Sequence, residues 1–185
     1  MAGSSLLESV PLIDHHCHGV TSAELGAAQF DELASESSAP GRPGRMLAAS
    51  QLGVVVRAEC APVLGLPRHC SAEEYQAGRL ELGAAEVNRR LLAATGISCY
   101  FIDTGYRGGE LLTPEQMAEV SGQAARQVVR LEAVAEQLAD SDVSADGFAP
   151  AYASALAKAA QGGRAQVHHG VPLRSRFRSR TPRAP

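Results

Sequence analysis

The chain has 185 residues, of which 45% are hydrophobic and none is tryptophan, with a net charge of −3. That length can bury a sizeable core as one domain, and no apolar run approaches the roughly 20 residues of a membrane span. No N-terminal stretch joins a basic region to a long apolar core, as a secretory leader would, and the cysteines Cys17, Cys60, Cys70 and Cys99 form no C-x-x-C pair, so a reduced, cytoplasmic protein with thiols as small apolar fillers is expected.

Residues 1–9 are a small polar lead-in. Val10–Ile13 reads as a buried strand, and Asp14-His-His-Cys-His18 as its polar C-terminal mouth. Alternate side chains of an extended chain share a face. Asp14, His16 and His18 are therefore expected to point one way, and His15 and Cys17 the other. Two imidazoles two residues apart on one face can hold a divalent ion, at about 2.0–2.1 Å for zinc. Asp14 could orient one of them by accepting its second N–H. The competing reading is a polar loop with no metal. Gly19 follows directly, and α/β folds place their chemistry at the carboxyl ends of strands.

Residues 19–35 could start helically. Ser35–Gly44 is rich in Ser, Pro and Gly and reads as an exposed loop. Met46–Val56 is read as a helix, and Pro62 and Pro67 bracket a loop. Together these form a long insertion of the kind that covers an active-site mouth. Ser71-Ala-Glu-Glu74 is a capping box opening one helical run over Ala72–Ala94, with Gly96 as its C-cap. Arg89 and Arg90 are read as a solvated face, with phosphate or substrate contact as the alternative.

Ile97–Ile102 is a second buried strand. Asp103, just beyond it, either caps the loop or hydrogen-bonds a substrate, and Tyr106 and Arg107 could reach over a bound carboxylate. Thr113-Pro-Glu-Gln116 starts another helix, with Met117, Val120 and Ala124 as its inner stripe. Val128–Leu131 is the third strand. Arg130 and Glu132 lie on one face near its end, as a local ion pair or as substrate or ligand-supporting groups. Ala133–Ala139 is a short helix. Asp146 caps the next one, Gly147–Ala160, whose Phe148, Tyr152, Ala155, Leu156 and Ala159 face the core. Strands separated by helices imply an α/β fold with a parallel sheet. Three strands cannot close a barrel, so the sheet should keep two edges and one uncovered face.

The segment Ile13-Asp-His-His-Cys-His-Gly19 resembles the strand-one motif of the amidohydrolase superfamily, metal-dependent hydrolases built on (β/α)8 barrels. Gln51–Pro67, Asp103-Thr-Gly-Tyr106 and Val129-Arg-Leu-Glu132 extend the similarity towards the amidohydrolase-related branch, over residues 10 to about 163. The resemblance implies a partial (β/α)8 barrel: about three parallel strands with flanking helices in residues 1–163, since a whole barrel takes about 250 residues. It makes His16 and His18 the first two metal ligands. A further histidine and an aspartate, the latter also the general base, would come from strands beyond the fourth, which this chain lacks. The implied activity is hydrolysis of an amide- or ester-like bond in a small molecule, or a related decarboxylation, by metal-activated water. Zinc is the expected metal, with manganese or iron as alternatives. Because catalytic zinc normally takes three protein ligands plus water, the chain by itself is expected to bind metal weakly and turn over little.

Residues 164–185 are a different kind of text. They hold six arginines and no acid, leaving 11 of the 17 bases and all 20 acids ahead of them, a net −9. They show no helical or strand periodicity, and three readings stay open. The tail may be read as a basic, disordered arm for nucleic acid or an acidic partner. His168 and His169 may be read as extra metal ligands. Or the tail is an out-of-frame translation: one base downstream, its codons permit Lys/Arg-Ser-Ile-Thr-Ala-Tyr-Arg-Ser-Gly-Leu-Asp-Phe-Asp-Pro, and Gly163 to Ala165 permit Val-Gly-Leu before it. That hidden text is similar to the superfamily's fourth-strand segment. A non-enzymatic α/β module with an arginine-rich arm is the alternative function. The acidic body and the lack of interleaved aromatics beyond Phe177 argue against nucleic acid. A structural metal site would need cysteine ligands near His16.

Overall fold

A computed structural model describes residues 10–35, 45–105 and 109–160, with the backbone alone of 163–166. The chain divides into two units, Met1–Val128 and Val129–Pro185.

Three parallel strands, β1 (Leu12–Cys17), β2 (Ile97–Asp103) and β3 (Ala124–Arg130), lie side by side in that order. The β2 stretch Ile-Ser-Cys-Tyr-Phe-Ile is the most apolar of the three and takes the centre, where Tyr100, Ile102 and Met117 form a core. Cys17, Val20, Leu92, Ile97, Leu112 and Ala125 pack against it. The expected burial of Val10–Ile13 is not observed. Leu12 and Ile13 are 53% and 60% exposed, because β1 has one neighbouring strand among the described residues. The third strand starts at Ala124, four residues earlier than expected. Its first half, Ala-Ala-Arg-Gln, carries no apolar signal, and pairing with Cys99 through Asp103 defines it instead. Ala124 consequently belongs to this strand and not to the preceding helix, and Glu132 lies in the first turn of the following helix.

Helices fill the long connection between β1 and β2. Residues 19–26 are not helical, and α1 is Ala27–Leu33. The expected helix at Met46–Val56 is longer and segmented: α2 (Arg45–Ala49), α3 (Gln51–Val55), one wide π-helical turn (Val56–Cys60) and α4 (Ala61–Val63). Ser50 makes the first break, its Oγ accepting the Gly53 N–H at 2.9 Å as a fresh N-cap. Pro62 sits in the first turn of α4, where its missing N–H costs nothing. The Arg57 guanidinium donates to the carbonyls of Leu47 and Cys70 at 3.1 and 2.9 Å and ties this run to the start of the next helix.

That helix, α5 (Ala72–Leu82), opens with the expected capping box. The Glu74 N–H donates to Ser71 Oγ at 3.1 Å, and the Ser71 N–H donates to Glu74 Oε2 at 2.8 Å. The run expected to reach Ala94 stops at Gly83, whose φ of +79° and ψ of 153° only glycine adopts readily. A second helix, α6 (Ala84–Ala93), begins there. Leu47, Ala61, Leu64, Cys70, Tyr75 and Val87 form the buried core of this helical part. On α6, Arg89 and Arg90 both pair with Glu86, and Arg90 also donates to the Leu64 carbonyl at 3.2 Å. The four cysteines are not paired with one another.

The helix α7 (Pro114–Ser121) follows β2 and carries the expected box: the Gln116 N–H donates to Thr113 Oγ1 and the Thr113 N–H to Gln116 Oε1. The second unit holds α8 (Leu131–Ala139), α9 (Ala145–Ala160) and a short strand β4 (Gly163–Gln166). The strand β4 spans the expected start of the tail at 164. Ser144, not Asp146, caps α9, accepting the Gly147 N–H at 3.2 Å. Phe148 stacks on Tyr152, whose hydroxyl donates to the Leu131 carbonyl at 3.2 Å. Phe148, Tyr152, Ala155, Leu156 and Ala159 are half-buried, and no residue of α8 or α9 is fully buried. Among the described residues no helix is long and apolar enough to cross a membrane.

Candidate functional site

The site lies where β1 and β2 end side by side. The ladder between them is irregular twice. Leu12 and Ile13 face Ile97 and Cys99, while Asp14 and Cys17 face Tyr100 and Ile102. The first irregularity puts an extra residue on β2, and the second puts one on β1, a β-bulge. The second sits inside Asp-His-His-Cys. It interrupts the alternation that would have put Asp14 on the histidine face. The Asp14 carboxylate instead accepts the His16 backbone N–H at 3.2 Å and lies against the Cys17 thiol. Burial, reinforced by that carboxylate, pushes the Cys17 thiol up to about 12, so it stays protonated at neutral pH. Its Sγ lies 3.7 Å from the Phe101 carbonyl.

His16 and His18 come together as expected, with ring centroids 5.7 Å apart and planes at 80°. The group that meets them is Asp103, at the end of β2. Its carboxylate is buried, with the residue 1% exposed. One oxygen accepts the Gly105 N–H at 2.8 Å, so the loop-capping role is present. The other lies 3.9 Å from His16 Nε2, too long for a direct hydrogen bond. The Asp103 carbonyl is 3.1 Å from His18 Nδ1. A carbonyl only accepts, so Nδ1 carries the proton, and the lone pair of neutral His18 sits on Nε2. That is the usual arrangement of a ligating histidine held by a backbone oxygen.

The segment after His18 is fixed from behind. Gly19 is buried, and a Cβ there would lie 2.2 Å from the Leu112 carbonyl oxygen. The Leu112 N–H donates to the Val20 carbonyl at 2.8 Å, and Thr21 bridges antiparallel to Leu111. A cavity of about 80 Å³ opens beside Asp103 and Thr104, bounded by Gly19 and Leu112. That is room enough for a few water molecules.

Two imidazoles and a buried carboxylate suit a divalent cation in kind. Ligand distances of about 2.1 Å on each side can span up to about 4.2 Å, which covers the separation between His16 and Asp103. In arrangement they fall short: no group of three or more His, Cys, Asp or Glu is placed to hold a metal ion among the described residues. Tyr106 and Arg107, and His168 and His169 of the tail, lie outside the described residues. Arg130 and Glu132 fall in the second unit, where one Glu132 carboxylate oxygen is buried without a hydrogen-bond partner. The pairing of Asp103 with the histidines was open to inference. Once β1 and β2 are taken as parallel neighbours, position 103 falls beside 16–18.

No family model matches the chain, and no curated protein does. Among solved structures, the chain is similar to a crystal structure of a "putative metal-dependent hydrolase" from Lactobacillus casei ATCC 334, with a TM-score of 0.55 and 23% identity. The match covers 88% of this chain and 43% of that one. The chain therefore spans less than half the length of the protein it matches, and the likeness is one of fold: an α/β arrangement of parallel strands with flanking helices.

Proposed function

We propose that the chain is the N-terminal part of a metal-dependent hydrolase of the amidohydrolase type, with its three parallel strands as the start of a (β/α)8 barrel. The observation that carries this reading is the meeting of His16, His18 and Asp103 at the carboxyl ends of adjacent parallel strands. The name of the fold neighbour supports it independently.

In this reading His16 and His18 hold a divalent metal, zinc before manganese or iron. The chemistry such a metal would supply when bound is a water acidic enough to serve as nucleophile near neutral pH and a polarised scissile carbonyl. Asp103 fixes the His18 tautomer through its carbonyl and places negative charge beside His16. The substrate is a small molecule with an amide- or ester-like bond, or a carboxylate to be lost. The general base and the remaining ligands belong to strands beyond those described, so this chain alone is a weak metal binder with little turnover.

Calorimetric titration of zinc into the purified chain tests this. Weak binding that disappears in His16→Ala/His18→Ala is expected. Zinc affinity unchanged by that double substitution would overturn the histidine assignment, and tight stoichiometric binding with hydrolase activity would overturn the incompleteness.

A further inference from the structure

A second cavity lies in the helical part of the first unit, away from the histidines. Its volume is about 290 Å³, near the lower end of small-molecule sites at about 300–1,000 Å³. Its walls come from Ala27 and Asp31 on α1, Leu47 on α2, and Ala72, Gln76 and Leu80 on α5. The lining is mostly apolar, and three polar side chains interrupt it, Asp31, Glu73 and Gln76. Asp31 is only 7% exposed, and neither carboxylate oxygen has a hydrogen-bond partner. Gln76 donates its amide N–H to the Leu25 carbonyl and leaves Oε1 buried and unpartnered.

The unmatched groups at this wall are therefore acceptors. Glu73 adds a further acid, and among the described residues no Lys, Arg or His lines the cavity. Arg79 on the same helix does not line the cavity: its guanidinium lies 5.1 Å over the ring of Phe30, itself a wall residue, and 6.0 Å from that of Tyr75, with its Nε buried and without a hydrogen-bond partner. A buried carboxylate without a partner is costly. A protonated amine removes the deficit with three N–H donors and a positive charge. The surrounding alanines and leucines suit an apolar body attached to it.

We propose that this cavity binds a small primary amine in its ammonium form, with the nitrogen on Asp31 and Gln76 Oε1 and the hydrocarbon against Leu47 and Leu80. The site is separate from the histidines and does not depend on their role. The test uses n-hexylammonium and its neutral isostere 1-hexanol as probes, titrated calorimetrically into the full chain at pH 7. Hexylammonium should bind at least about tenfold tighter than hexanol. Asp31→Asn should abolish that preference, Leu80→Trp should block both probes, and His16→Ala/His18→Ala should change neither. Equal affinity for the two probes, a preference surviving in Asp31→Asn, binding undiminished in Leu80→Trp, or no binding at all would each overturn the proposal.

Discussion

Asp103 performs two tasks that substitution can separate. Its Oδ1 accepts the Gly105 N–H and closes the turn after β2, while its charge faces His16. Asp103→Ala removes both. The orphaned N–H belongs to an exposed glycine that water can reach, so the cost should fall at the lower end of about 1–3 kcal/mol. With a urea m-value of about 2 kcal/mol per molar, the midpoint drops by about 0.5–1 M. Asp103→Asn keeps an acceptor in the same place and relieves the burial of a charge, so its midpoint should move by less than about 0.5 M. Both variants lose the carboxylate beside the histidines, and zinc affinity should fall about 10–100-fold in each. Urea unfolding followed by circular dichroism, with zinc calorimetry on the same samples, reads both quantities. If Asn destabilises as much as Ala, or if zinc affinity distinguishes the two variants, the division of labour at Asp103 is wrong.

Ile102→Ala deletes a fully buried side chain between Tyr100 and Met117, and urea unfolding should show a loss of about 2–5 kcal/mol. Gly19→Ala drives a methyl against the Leu112 carbonyl, a backbone atom that cannot swing aside; about 1–3 kcal/mol should be lost, with shifted His18 resonances in NMR spectra. Arg89 and Arg90 hold the Glu86 carboxyl down to about 2 from its ordinary 4.5. A depressed folded pKa stabilises above the unfolded value and is lost as pH falls through the folded one. The contribution of Glu86 should therefore be complete above about pH 4.5 and fade towards pH 2. Thermal unfolding of Glu86→Gln should show a shallower acid slope over that window, and added salt should narrow the difference.

The features legible in the sequence were those encoded over a few adjacent residues. The capping boxes at Ser71 and Thr113 and the apolar β2 run announce themselves through short-range chemistry. The histidine pair was legible too, since its spacing is that of a strand face. What escaped depends on partners distant in the chain. The first half of β3 is a strand because β2 offers it a ladder, not because Ala-Ala-Arg-Gln prefers extension. The exposure of Leu12 and Ile13 follows from the outer place of β1 in the sheet, which no local pattern encodes. The break at Gly83 was hidden because a glycine inside a helical pattern is equally consistent with tolerance and with termination. The irregularity inside Asp-His-His-Cys was hidden as well, because strict alternation assumes an unbroken ladder.

The two irregularities between β1 and β2 have opposite senses, so the strands leave phase at Ile13 and regain it by Cys17. Side chains alternate with a period of two, so a one-residue slip turns a strand inside out. Deleting a single residue between Asp14 and Cys17 would therefore do more than shorten a loop. It would leave the earlier offset uncorrected and carry the imidazoles to the opposite side of the sheet from the Asp103 carboxylate. The meeting of these three groups depends on a cancellation, and chain length through this stretch should tolerate less change than the identity of most residues in it.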